Sequence, residues 1–346
     1  MKPTSVIFLI VSILLACVGL LLCFTATSIA ANDGTAIFSQ TGSAETGYNY
    51  TTTFALDESK TAQISFDLGD VDVYVYPTNE ASRIELVNFP EGSYRYNETK
   101  TGVKLTDGAS FKNMLDLENF EINFNGFRDY LHWYRYRNNR KSVNLYIGAP
   151  EHLTKISIAS SGNITVDGRR TGQNTYLELN DIDVEFTSRG GDINVSAFRS
   201  TSMLKLEATD EAFINLDSVY VNNLEVYGVN SFVDMNYVSA DYSFFVEINQ
   251  GNVDFAPGSF NLSAYDLIFS AKDGTVRYGQ QLIKNGSYEK ANYTEAHTEP
   301  DAGGEEESQT DSEETGETDE TQTVVTYKPT PNSVIIIVKK GDITVK

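Results

Sequence analysis

A five-residue phrase recurs along this chain and restricts its fold more than any other feature. It runs Gly162-Asn163-Ile164-Thr165-Val166, then Gly191-Asp192-Ile193-Asn194-Val195, Gly251-Asn252-Val253-Asp254-Phe255 and Gly274-Thr275-Val276-Arg277-Tyr278. An early copy is Gly69-Asp70-Val71-Asp72-Val73, and a last one is Gly341-Asp342-Ile343-Thr344-Val345. Two weaker copies lack the glycine, Ala212-Phe213-Ile214-Asn215-Leu216 and Ser231-Phe232-Val233-Asp234-Met235. Apolar and polar residues alternate in each copy, which is the period of a half-buried strand. The Gly-Asx opening suits a tight turn, because glycine accepts positive φ and Asx side chains bond nearby backbone.

A second apolar pair lies between phrases, as in Leu204-x-Leu206, Leu224-x-Val226 and Val246-x-Ile248. Each unit therefore offers two short strands. The steps from Ile193 to Ile214, Val233, Val253 and Val276 are 21, 19, 20 and 23 residues. A unit of roughly 20 residues cannot bury its own apolar face, and stacking completes the core. The step from Ile164 to Ile193 is longer, with Leu177-Glu178-Leu179-Asn180 reading as an inserted strand. A β-sandwich is the rival, but its strands recur at about half this spacing without repeating a two-strand unit. The expected fold is all-β, a single-stack parallel β-solenoid preceded by one N-terminal transmembrane helix.

Composition agrees. Tyr and Phe number 20 and 19, Pro only 8, and no helical periodicity persists after residue 31. The formal charge of −22 opposes nucleic acid as a partner, since phosphates demand a basic surface. Half of the excess is local, because Glu299–Glu320 carries eleven acids and no base. Both cysteines, Cys17 and Cys23, fall in the apolar N-terminal segment, so the remainder has neither disulfide nor thiolate metal site.

In order along the chain, residues 1–31 form a membrane anchor or uncleaved signal built on the apolar run Val6–Phe24, long enough to span a bilayer. Cleavage before Ala31 and a lipoprotein box at Leu14–Cys17 are the competing readings. Lys2 places the N-terminus in the cytoplasm and the bulk outside, a single-pass cell-membrane protein in contact with lipid through that helix. Residues 32–50 read as a tether, 51–294 as the solenoid domain, 295–330 as an acidic disordered loop and 331–346 as the solenoid's final strands.

Within the domain, 108–141 is irregular. Arginines interleave there with aromatics, giving a candidate ligand-binding set of Arg128, Tyr130, Trp133, Tyr134, Arg135, Tyr136 and Arg137. Such a mixture can bind glycans, anionic lipid or single strands of nucleic acid. The same residues also suit a packed cap over the open end of a stack, and that reading is favoured.

At Leu145-Tyr146-Ile147-Gly148-Ala149-Pro150, followed by Ile156-Ser157-Ile158 and Ser161-Gly162-Asn163-Ile164-Thr165-Val166, the chain resembles a family of exported bacterial domains of unknown function named "putative adhesins". Asn often stands here for the family's Asp, and Gly190 for its Ser. The resemblance implies an extracytoplasmic β-solenoid with a role in adhesion or envelope response, and it brings no catalytic residues.

His132, His152 and His297 are far apart and outside any metal-spacing motif, and neither a Gly-x-Ser-x-Gly elbow nor a phosphate-cradling loop is present. Asp181 with Asp183, and Asp70 with Asp72, pair carboxylates two residues apart on one strand face, the arrangement a Ca²⁺ site or glycosidase would use. Turn and surface roles account for them more simply. The expected function is a non-enzymatic, membrane-anchored adhesion or binding module without cofactor or metal, facing a glycan, envelope polymer or surface protein. The alternatives are an envelope-stress or membrane-associated regulatory protein and a solenoid polysaccharide lyase or hydrolase.

Overall fold

The computed structural model describes residues 51–89, 93–107, 115–116, 121–122, 140–148, 151–169, 176–291 and 327–346. The expected membrane anchor, the tether to residue 50 and the acidic run lie outside the described residues, as does the aromatic-basic segment except for short pieces of it. Among the described residues no helix is long and apolar enough to cross a membrane, and the one helical turn is Leu262–Ala264. The rest is strand and turn, so the all-β expectation holds.

In chain order the strands are β1 (Thr51–Ala55), β2 (Gln63–Asp67), β3 (Asp72–Pro77), β4 (Arg83–Val87), β5 (Tyr94–Glu98), β6 (Gly102–Asp107), β7 (Leu115–Asp116), β8 (Glu121–Ile122) and β9 (Ser142–Ile147). They continue with β10 (Lys155–Ser160), β11 (Ile164–Asp167), β12 (Leu177–Leu179), β13 (Asp183–Ser188), β14 (Ile193–Ser200) and β15 (Met203–Ala208). The last are β16 (Ala212–Gln250), β17 (Val253–Ala256), β18 (Asp266–Tyr278), β19 (Gln281–Lys290), β20 (Ser333–Lys340) and β21 (Ile343–Val345).

Two parallel ladders carry the core. The first joins β6, β2, β10, β13, β15 and the 223–228 stretch of β16 in strict register, so that Leu105, Phe66, Ile158, Phe186, Leu206 and Val226 form one column. The second joins β9, β3, β11, β14 and the start of β16, aligning Val143, Val73, Ile164, Ile193 and Ile214. Every residue of both columns is buried. A one-residue slip would turn each column outward, so burial of a single face fixes the register.

The columns continue past residue 214. Val233 lies beside Val253, and the rings of Phe213 and Phe232 stack at 5.4 Å, setting the strand that holds Ile214 next to the one that holds Val233. Ile193, Ile214, Val233 and Val253 are thus neighbours in sequence of repeat and in space.

Chain order and stacking order part company at both ends. By spacing, Val276 should follow Val253. Instead Ile343 of β21 lies between them, paired with Val253 on one side and Val276 on the other. β20 does the same in the first ladder, between the 243–250 stretch of β16 and β18. The strands that close the sequence are next to last in the stack, and β18 with its antiparallel partner β19 lies beyond them. At the opposite end β2 and β3 lie inside the later strands β6 and β9. Antiparallel strands cover that end, with β5 on β6, β4 on β9 and β1 on β4.

The glycines of the phrase have a different reason from the expected turn geometry. A Cβ at Gly162 would overlap the carbonyl oxygen of Val71, and one at Gly191 that of Gly162. Likewise Gly341 lies against the Gly251 carbonyl and Gly274 against that of Gly341. Backbones of successive turns approach too closely for any side chain, which is a packing requirement. Positive φ is an added demand at Gly251 and Gly341, both at 133°.

The Asx residue of the phrase links one turn to the next. The early copy sits two residues later than expected, since Val73 and not Val71 pairs with Ile164, so Asp72 takes the Asx place. The Asn163 N–H donates to Asp72 Oδ1 at 3.0 Å, the Asp192 N–H to Asn163 Oδ1 at 2.9 Å, and the Phe213 N–H to Asp192 Oδ1 at 2.9 Å. The pattern resumes where the Asp342 N–H donates to Asn252 Oδ1 and the Thr275 N–H to Asp342 Oδ1. Phe213 and Phe232 occupy the gap, and ring stacking takes over from the hydrogen bonds there.

Candidate functional site

The inserted strand expected at Leu177-Glu178-Leu179 is β12, and it begins a short third ladder. Its residues pair with 198–200 of β14, and Phe198 and Arg199 pair in turn with Val219 and Tyr220 of β16. Leu177, Leu179, Phe198 and Val219 point inward and are buried. Strand alternation then sends Glu178, Arg199 and Tyr220 outward as one column.

Arg199 is the centre of this column. Its guanidinium carbon lies 4.0 Å from the Tyr176 ring centroid and 5.4 Å from that of Tyr220. The two rings meet edge to face, 5.6 Å apart at 71°. An Arg199 nitrogen is 3.6 Å from a Glu178 carboxylate oxygen, and both side chains are about half exposed, at 49% and 56%. Burial and the neighbouring Tyr176 hydroxyl push the Tyr220 phenol up, so it stays a neutral donor at physiological pH.

Tyr176, Leu177, Glu178 and Arg199 line a cleft of about 460 Å³ together with Pro77, Thr78, Ile147 and Gly148, and Tyr220 backs Arg199 from the next strand without lining it. The volume falls in the range of small-molecule clefts, roughly 300–1,000 Å³. Aromatic faces can cover the C–H face of a ring, while a guanidinium fork and a carboxylate read hydroxyls around its rim. Sequence reasoning missed this cluster. A signal is present, because Glu178, Arg199 and Tyr220 are each 21 residues apart, within the 19–23 range of the repeat.

The residues singled out from the sequence fall elsewhere. Arg128, Tyr130, Trp133, Tyr134, Arg135, Tyr136 and Arg137 lie outside the described residues, as do His132 and His297; His152 is exposed. From the same segment, Arg140 is 3.8 Å from Asp72, and Lys141 is buried with its ammonium 3.1 Å from Asp107 and over the Phe89 ring.

Three of the four paired carboxylates serve as structural acceptors, and Asp70 is exposed. Asp181 sits in a turn at φ 58° and accepts from the Thr201 hydroxyl, and Asp183 accepts from the Ser202 hydroxyl and the Met203 N–H. Asp72 holds the Asn163 N–H. Among the described residues no group of three or more His, Cys, Asp or Glu is placed to hold a metal ion.

No protein-family model matches the chain, and no curated protein matches it in sequence. Solved structures similar to it include a "putative cell adhesion protein" from Clostridium sporogenes, 12% identical, with 86% of this chain and 99% of that one covered at a TM-score of 0.29. Another is a "putative adhesin" from Bacteroides fragilis, 11% identical, with 88% and 99% covered at a TM-score of 0.42. Neither likeness is close enough to carry a role across.

Proposed function

We propose that this chain is a single-stack parallel β-solenoid held outside the cell by the span at 6–24, and that it acts as a non-enzymatic adhesion module for a surface glycan. The observation that carries the reading is the cleft at the start of the third ladder. There Arg199, packed on Tyr176 and Tyr220 and facing Glu178, offers stacking surface and hydroxyl-reading groups side by side. The solenoid part rests on parallel, in-register pairing at a step near 20 residues from β13 onward, which lets turns stack on a shared axis. The rigid ladders beneath hold the three outward side chains, so little ordering entropy is lost on binding.

A glycan array probed with the purified chain tests the proposal. Binding should fall by about tenfold or more for Arg199→Ala and for Tyr176→Ala, since stacked cation-aromatic groups contribute on the order of 1–2 kcal/mol when desolvated. Glycan binding that both variants retain in full, or no glycan binding by the parent chain, would remove the cleft from the account.

A further inference from the structure

We propose that the strand pair β20–β21 is exchangeable between copies of this chain, so that neighbouring molecules can link by inserting it into one another's stacks. The inference starts from the placement of this pair. β20 is paired in parallel with the 243–250 stretch of β16 on one side and with β18 on the other, and β21 with β17 and β18. The units it separates are neighbours in sequence, joined by the short connection 257–265. The pair therefore fills a slot that the rest of the chain frames without it.

The slot is specific for such a segment. Val334, Ile336, Val338, Ile343 and Val345 point into the shared core and are buried. Gly341 fits where only hydrogen is tolerated, between the carbonyl of Gly251 and the position of Gly274. Asp342 receives the Thr275 N–H while its own N–H donates to Asn252, which locks the register on both faces.

The covalent connection does little to enforce insertion at home. Lys290 pairs with Leu267 and Ser333 with Asp266, so the two ends to be joined are about two strand spacings apart, roughly 10 Å. A handful of residues would suffice, yet the stretch 291–332 supplies about forty. For an acidic connection of that length the effective concentration of the attached segment is on the order of millimolar. An incoming β20–β21 from a second copy makes the same contacts as the resident one. Exchange is then governed by concentration alone, and chains crowded on one surface approach the level at which it competes.

Disulfide trapping tests this in a chain carrying Cys17→Ser and Cys23→Ser. Asp254 and Thr344 are outward-facing register partners across the β17–β21 pair, at a strand spacing compatible with a disulfide. With Asp254→Cys and Thr344→Cys in one molecule, a disulfide within the chain is expected, and its absence would overturn the placement of the slot.

With the two cysteines in separate molecules, unfolded and refolded together, a covalent pair is expected. It should increase with chain concentration toward half of all molecules in the millimolar range. A pairing yield no higher than that of Thr344→Cys mixed with the exposed Ser263→Cys would overturn exchange. Co-refolding of two differently tagged parent chains and capture on one tag gives a cysteine-free reading. Recovery of the second tag is expected, and its failure to appear at any concentration counts against the proposal.

Discussion

Gly341 and Gly279 show why the same residue type means different things at different positions. At Gly341 a methyl group would overlap the Gly251 carbonyl, and the backbone also has positive φ. At Gly279 φ is 56° but nothing lies within 4 Å of a would-be Cβ. Gly341→Ala should therefore cost about 3 kcal/mol or more, whereas Gly279→Ala should cost about 1 kcal/mol, from backbone strain alone. Urea unfolding reads both as shifts in midpoint at constant slope. Equal costs would mean that close approach of the turns is not what selects glycine. The glycines of the phrase were legible in the sequence, but their reason was not. A turn glycine and a glycine under a neighbouring backbone look alike until the neighbour is known. Asp181 and Asp183 are a case where the simpler expectation of turn and surface roles agrees with the structure: the hydroxyls of Thr201 and Ser202, in the turn between β14 and β15, donate to them.

Among the elements, the outer face of the first ladder is a row of charges in register. Burial pushes the Glu185 carboxyl up, but Lys155 at 3.1 Å and Lys205 at 3.5 Å outweigh it and bring it below the ordinary range. This contribution is present above the unfolded carboxylate pKa and fades as pH falls through the lowered folded value, and solvent screening keeps it small. Tyr227, one strand farther along, is pushed up to about 12 by burial and then by Glu225, Glu247 and Glu207. Its protonated form is the one the fold favours, so the contribution is complete below pH 10 and is lost between about 10 and 12. Tyr227→Phe should flatten the stability loss over that window, and ultraviolet titration should lose one late-ionising phenol. An unchanged alkaline titration curve in the variant would contradict the assignment. Elements of this kind were readable as strands from period-two alternation. Which strand lies beside which was not: nothing in Gly274-Thr275-Val276 or Gly341-Asp342-Ile343 says that the second, and not the first, sits against Val253.

At the scale of the whole molecule, a stacked solenoid of the kind proposed draws its stability from a sum of local and nearest-neighbour contributions. Middle pairs are flanked on both sides, while β19 is mostly solvent-exposed and, among the described strands, pairs with β18 alone. Amide hydrogen exchange should be slowest around Val184, Ile193 and Ile214 and fastest in β19, grading between them. Uniform protection from end to end would indicate a single all-or-none unit instead. The crossing of chain order and stacking order also bears on how the molecule is made. A ribosome releases β18 and β19 well before β20 and β21, at a time when the edge formed by β17 is bare. Val276 is an acceptable partner for Val253, so the emerging chain can zip up one turn too early and must unzip before the last strands take their seat. Maturation is therefore expected to finish after synthesis ends, with a short-lived, wrongly joined species on the way.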